Sequence, residues 1–330
     1  MILGFVEHDG GEPGELSLEM LTFGRRLAER AGVPLHAVAI AHGPDPLSEH
    51  LSSFGVSGLH LVHDDRLEAY APQAWARSVA ELTEKVRPEA VLAAGSDRGH
   101  EVLARVAARA GLPLAANCVD ARPDDPFVVT RQRWGGTLLE EARLHGEVKL
   151  LTVAEHAVRA KEAPSEQGAS GGVAVEVFEP TLSDEDFRVR VTDRVERAEG
   201  KVSLTSARVV VGGGRGMGSA EGFEVLEELA ELLGGAVGCS RAVTSAGWRP
   251  HTDQVGQTGV RIAPDLYIAC GISGATQHIV GCKGAKRILV INTDDAAPIL
   301  SQADYAVVGD AREVAAAVSA EIKKVKQPSG

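Results

Sequence analysis

Arg215, Ser240, Arg241, Ser273, Asn292 and Asp310 each stand just past a short apolar run in the second half of the chain. The runs around Leu266 to Ala269, Arg287 to Ile291 and Tyr305 to Val308 read as buried strands, each followed by Gly, Asn or Asp within a residue or two. In an open parallel α/β sheet, ligands lie in the crevice beyond the carboxyl ends of the strands. Guanidinium, hydroxyl and amide groups with glycine-rich backbone along one such edge suit the binding of a phosphate-bearing cofactor.

Each residue has a plainer alternative. Gly212 to Gly218 (GGGRGMG) joins a strand at Ala207 to Val211 to a helix at Phe223 to Leu233. Backbone N–H groups there can approach a phosphate. The G-x-G-x-x-G spacing fails in every frame, because its last position falls on Met217 or Ser219, so a nicotinamide fingerprint is absent. A tight turn needing positive φ is the plain reading of the glycines, and Arg215 is the residue that argues for an anion. Ser240 follows the strand Ala236 to Gly238 and either caps the next helix or meets a ligand; Arg241 either makes a surface salt bridge or holds an anion. No Ser-His-Asp or Cys-His arrangement is assignable. Cys118, Cys239, Cys270 and Cys282 have neither CxxC spacing nor a nearby His pair, which indicates no metal site and no disulfide framework.

The elements that must position these groups follow from periodicity. In the first half, strands at Ile2 to Val6, Leu35 to Ala41, Leu59 to Val62 and Ala90 to Ala94 alternate with helices at Leu18 to Ala31, Gln73 to Val86 and Glu101 to Ala110. That rhythm implies βαβ units around a parallel sheet. Phe127 to Leu144, with Gly135 and Gly136 at its turn, reads as an antiparallel addition, followed by strand Val148 to Val153. Residues Ala160 to Gly172 have the composition of a solvated, mobile loop. The boundary between two domains is expected between about Arg190 and Ser206, giving an N-terminal α/β domain at 1–200 and a doubly wound domain at 201–330. His8, His42, His60 and His63 lack ligand-like spacing and read as surface or packing residues. Gly95 to Glu101 (GSDRGHE) has the form of an anion-binding turn, but a βα loop capped by Ser96 or Asp97 is the stronger reading.

Composition narrows the classes. A chain of 330 residues, 44% hydrophobic and 24% charged, is long enough for about two cored domains. Its 34 basic and 46 acidic residues give a net charge of −12, which argues against a nucleic-acid partner. No apolar run approaches the roughly 18 residues of a membrane span, and the amino terminus lacks a signal-like core, so a cytoplasmic location is expected.

Taken together, GGRG at Gly213 to Gly216, CSRA at Cys239 to Ala242, DQVGQTG at Asp253 to Gly259, LYIACGISGATQH at Leu266 to His278, Ile291-Asn292 and ADYAVVGD at Ala303 to Asp310 resemble the alpha subunit of electron-transfer flavoproteins. The likeness is dense from Val209 to Asp310 and looser before it. Thr276, Val290, Cys270, Cys282 and Gly284 depart from the family's usual choices, as packing variations that leave the polar set whole. The resemblance implies FAD held mainly by the second domain. By matching positions its contacts would be Arg215, Ser240, Arg241, Val255, Gly256, Gln257, Thr258, Ser273, Gly274, Ala275, Thr276, Gln277, His278, Asn292 and Asp310. Ser273 to Ala275 would face the pyrophosphate, and Asn292 and Asp310 the ribose or adenine, with Asp310 equally suited to capping helix Arg312 to Lys324. Thr258 would meet flavin N5, while Arg241 as cation and His278 as donor would stabilise an anionic semiquinone near N1 and the C2 carbonyl.

The resemblance further implies a heterodimer with a beta subunit, which the first domain helps to dock and whose surface closes the flavin site. The chain would be an electron carrier, not an enzyme with its own substrate, and would need no metal. Electrons would pass from flavin dehydrogenases, such as the acyl-CoA dehydrogenases of fatty acid beta-oxidation, to a quinone oxidoreductase. One alternative is an electron-bifurcating form using NADH and a second FAD in the beta subunit. Others are a nicotinamide-dependent dehydrogenase, which the failed glycine spacing disfavours, and a non-catalytic nucleotide-binding protein.

Overall fold

The computed structural model describes residues 1–41, 47–164, 172–192 and 202–326, and the chain divides into two compact units, Met1–Val195 and Glu196–Gly330. The expected loop at 160–172 and the expected boundary near 190–206 lie partly outside the described residues, as does His42.

The first unit is built from strands Ile2–Phe5 (β1), His8–Asp9 (β2), Glu12–Pro13 (β3), Leu35–Ile40 (β4), Gly58–Val62 (β5), Ala90–Ala94 (β6), Leu114–Arg122 (β7), Phe127–Arg133 (β8), Leu138–Leu144 (β9), Lys149–Val153 (β10) and Ala174–Phe178 (β11). Its helices are Glu15–Ala31 (α1), Leu47–Ser53 (α2), Pro72–Val86 (α3) and Asp97–Ala110 (α4). A nine-stranded sheet has the order β11-β5-β4-β1-β6-β10-β7-β8-β9, parallel except where β8 pairs antiparallel with β7 and β9. The fully apolar runs of β1 and β6 sit centrally because helices bury both of their faces. Strands β7 and β11 and helix α2 were not anticipated. In β11 the alternation Ala174-Val175-Glu176-Val177 was a legible signal, but its side chains are mostly exposed at the sheet edge, so no solid apolar run marks it.

The second unit is a five-stranded, wholly parallel sheet: Val209–Gly213 (β12), Ala236–Cys239 (β13), Leu266–Cys270 (β14), Ile288–Asn292 (β15) and Tyr305–Val308 (β16). Their order is β13-β12-β14-β15-β16, a doubly wound arrangement whose winding reverses between β12 and β14. Helices Glu224–Leu232 (α5) and Ala311–Lys326 (α8) cover one face. The short helix Thr276–Cys282 (α7) and the segments around Ile262 and Ile299 cover the other; Arg241–Ser245 (α6) follows β13. Tyr305 to Val308 is not a buried strand: Tyr305 is 62% and Val308 64% exposed, because β16 is the edge of the sheet and α8 packs on β14 and β15 instead. Among the described residues no helix is long and apolar enough to cross a membrane.

Candidate functional site

Because all five strands of the second unit run parallel, their carboxyl ends share one edge, and the expected residues gather there in sequence. Arg215 follows β12, Ser240 and Arg241 follow β13, Ser273 follows β14, Asn292 ends β15 and Asp310 follows β16. The loops are tied by backbone. Gly214 N–H donates to Cys270 O at 2.8 Å and Gly216 N–H to Gly271 O at 3.1 Å, so the loops after β12 and β14 lie against each other at the switch point. Gly271 has φ +61°, and a Cβ there would lie 2.7 Å from Gly216 Cα.

The segment Gln254 to Gly259 is fastened on both sides. Val255 N–H donates to Cys239 O at 2.8 Å and Gln257 N–H to Gln277 O at 2.8 Å. A Cβ on Gly281 of α7 would sit 2.3 Å from Gly256 N, so glycine is what allows this loop to rest on the helix. Val255 and Gly256 are buried, while Gln257 and Thr258 are exposed. Gln254, not anticipated from sequence, orients Thr258: its Nε2 donates to Thr258 Oγ1 at 3.0 Å, and its Oε1 accepts from Thr244 Oγ1 at 2.7 Å. With its oxygen accepting from Gln254, the Thr258 hydroxyl keeps its own proton to donate outward.

Arg215 and Arg241 are exposed and make no ion pair with any described residue, so the salt-bridge alternative for Arg241 is not what the structure holds. Ser240 has the backbone of a helix cap, yet its side chain makes no capping bond. Ser273, Ala275, Thr276 and Gln277 are exposed, and Gly274 is buried against Ile299. At the start of α7 the first N–H groups have no intrahelical acceptor.

Asn292 and Asp310 also make hydrogen bonds within the chain. Asn292 is buried; its Nδ2 donates to Ile272 O at 2.9 Å and its Oδ1 accepts from Asp294 N–H at 3.1 Å, so it locks the loop after β14 to the end of β15. Asp310 Oδ1 accepts from the N–H groups of Arg312 and Glu313, the capping role, and those backbone bonds hold its carboxyl below the usual range.

His278 is the least exposed polar side chain of the set, at 6%. Its Nε2 lies 2.7 Å from the hydroxyl of the buried Tyr267, and its Nδ1 is buried with no hydrogen-bond partner of normal geometry. Burial lowers its pKa from 6.5 to about 4, against a small opposing effect of the Val255 backbone, so the ring is neutral at pH 7. It is a dipolar donor or acceptor there, not a cation. Below pH 6.5 the unfolded chain takes up a proton that the fold refuses until about pH 4, so stability falls with pH across that window. The flavin-free chain is expected to lose about 3 kcal/mol over the window from this residue. Urea unfolding at pH 7 and pH 5 checks it: His278→Gln should flatten the dependence, and an equal slope in the variant would assign it elsewhere.

The thiols of Cys118, Cys239, Cys270 and Cys282 are free and buried, and burial pushes each up to about 12, so they stay protonated. In the first unit, Ser96 caps α4 by accepting from Gly99 N–H at 2.9 Å and hydrogen-bonds the Glu7 carboxyl. The GSDRGHE turn is thus filled by the chain's own groups. His8 Nε2 bonds Ile40 O at 2.9 Å. His60 is buried beside His36, 3.2 Å away, with Glu176 at 3.5 Å; β11 supplies that carboxylate from far along the chain, which spacing did not reveal. No cluster of metal-ligating side chains occurs among the described residues.

The electron transfer flavoprotein FAD-binding domain family matches residues 203–283, the span that carries this edge from Arg215 to His278, and the electron transfer flavoprotein domain family matches residues 2–183. An electron transfer flavoprotein subunit alpha of Thermoanaerobacterium thermosaccharolyticum is 35% identical over 98% of this chain and 97% of its own length. The chain belongs to the electron transfer flavoprotein alpha subunit family. A subunit alpha of Mycobacterium leprae is 38% identical over 98% of both chains, and a protein FixB of Clostridium saccharobutylicum 34% identical over 97% and 96%. Membership in the electron transfer flavoprotein family places the chain among electron carriers.

Proposed function

We propose that this chain is the alpha subunit of a heterodimeric electron-transfer flavoprotein, holding FAD along the carboxyl edge of its second unit. The observation that supports this best is the pair of exposed guanidinium groups, Arg215 and Arg241, without acidic partners among the described residues, on one edge of a chain of net charge −12. An anionic pyrophosphate and a reduced flavin are the kind of ligand such groups suit. The residues present fit the cofactor: Ser240 Oγ is free of capping, Thr258 keeps a proton to donate, and His278 Nδ1 is a buried polar atom awaiting a partner.

In this reading Arg215 and the backbone of Ser273 to Ala275 hold the phosphates. Thr258, Arg241 and His278 border the isoalloxazine, and Val255 to Gln257 and Thr276 to Gln277 frame it. Asn292 acts by fixing the Ile272 loop, and Asp310 by capping α8 beside the adenosine end. A bound flavin would supply the one-electron chemistry; the protein's part would be to orient it, exclude water and set a cation, Arg241, and a neutral hydrogen-bond donor, His278, beside it. A beta subunit completes the site, flavin dehydrogenases donate electrons, and a quinone-linked oxidoreductase accepts them, in the cytoplasm. The choice between this and a bifurcating form rests on residues of the partner chain.

The test is a visible spectrum of the chain co-expressed with its beta-type partner, followed through stepwise anaerobic reduction. A flavin band passing through a red anionic semiquinone is the expected result. A colourless complex, or co-purification of a nicotinamide, would remove the reading.

A further inference from the structure

Tyr267 enters β14 as an ordinary apolar-run residue, and nothing in its spacing marks it. The fold places it wholly buried, with its hydroxyl 2.7 Å from His278 Nε2, eleven residues on and at the first turn of α7. No other hydrogen bond is made by that hydroxyl among the described residues. A buried phenol has one proton, and burial keeps it there by holding the group well above its ordinary range.

Proton counting then distinguishes two states of the pair. If His278 carried its hydrogen on Nε2, that hydrogen would point at the Tyr267 oxygen. The phenolic proton would have no acceptor, and Nδ1 would be a buried lone pair without a donor. Each such loss costs about 1–3 kcal/mol. If the hydrogen is on Nδ1 instead, Tyr267 donates to Nε2 and the phenol is satisfied. What remains is a single buried N–H on Nδ1, and the Val255 backbone acts on the ring in the sense that favours a proton.

We propose that Tyr267 is a positioning residue that fixes His278 as the neutral Nδ1–H tautomer, turning its free nitrogen into a hydrogen-bond donor aimed at the flavin carbonyl side of the site. This rests on the FAD reading above. Tyr267 itself does not touch the cofactor. It acts by denying Nε2 a proton, so that the ligand meets a donor and never a lone pair. A second device keeps the hydroxyl in place: a Cβ on Gly212 would lie 2.3 Å from Tyr267 Oη, so the glycine of β12 provides the room the phenol occupies.

The experiment is a long-range proton–nitrogen spectrum of the complex labelled with nitrogen-15 histidine, with and without FAD, His278 being assigned by His278→Gln. The expected result in both states is a protonated Nδ1 and a bare Nε2. Tyr267→Phe should move the proton wholly or partly to Nε2 and weaken FAD binding about fivefold, the worth of one neutral hydrogen bond. In a His278→Ala background, Tyr267→Phe should have no further effect on FAD binding, which a merely structural hydroxyl would not satisfy. A protonated Nε2 in the wild-type chain overturns the proposal without any variant, and so does an unchanged tautomer in Tyr267→Phe. If the wild-type complex binds no FAD, the flavin reading fails, while the spectrum of the flavin-free protein still decides the tautomer.

Discussion

Replacing Arg241 by alanine is expected to lower the yield of anionic semiquinone at least tenfold during stepwise reduction of the FAD-loaded complex. Arg241 opens α6 immediately after Ser240, is exposed, and has no carboxylate among the described residues to neutralise it. A hydrogen bond to a charged group is worth about 1.5–3 kcal/mol, and an added electron places charge on the flavin only in its reduced forms. The loss therefore falls on the reduced states and spares the oxidised one, converting to roughly a ten- to hundredfold change in their population. Arg241→Lys should restore part of the yield, since it returns the charge without the planar fork. Retention of FAD with an undiminished semiquinone in Arg241→Ala would show that the cation serves another purpose.

Gly271→Ala is expected to be strongly damaging at the switch point. Gly271 has φ +61°, where a side chain costs about 1–2 kcal/mol. Its new methyl would also meet Gly216 Cα at 2.7 Å, backbone against backbone, for about 1–3 kcal/mol more of overpacking. Together these approach half of a typical domain stability of about 5–15 kcal/mol. Separating the loops after β12 and β14 relieves this contact, at the expense of the Gly216 to Gly271 hydrogen bond and the position of Arg215. Urea unfolding followed by circular dichroism, together with FAD content of the purified complex, reads both consequences. A variant with wild-type midpoint and full FAD would mean that the two loops separate at no cost and do not set the site.

Much of the second unit was legible because its determinants are local. Each strand from β12 to β15 is a solid apolar run, each connection carries a turn residue, and a parallel sheet lines up such runs by necessity, so a common edge for Arg215, Ser240, Arg241 and Ser273 followed from pattern alone. The same logic misread β16. An apolar run of four residues is the same whether helices cover it or it lies exposed at the edge, and that depends on where α8 packs. In the first unit β11 carries only an alternation in sequence, because an exposed edge strand lacks the continuous apolar signal that marks a buried one.

The amino-acid sequence by itself determined the fold class, the glycine-rich strand ends, and the family motif with the residues it carries. Only the tertiary structure decided what those residues do when idle. It turned Asn292 inward onto the Ile272 carbonyl, set Asp310 at the head of α8, left the Ser240 side chain without a capping bond and Arg241 without an ion pair among the described residues, and put Tyr267 against His278. The physical reason is the range of the forces involved. Strand and turn preferences are written within a few residues, whereas hydrogen-bond satisfaction is settled among whichever donors and acceptors the packed core brings within about 3 Å. The Gln254 amide that orients Thr258, and the phenol that faces His278, become visible only when that packing is complete.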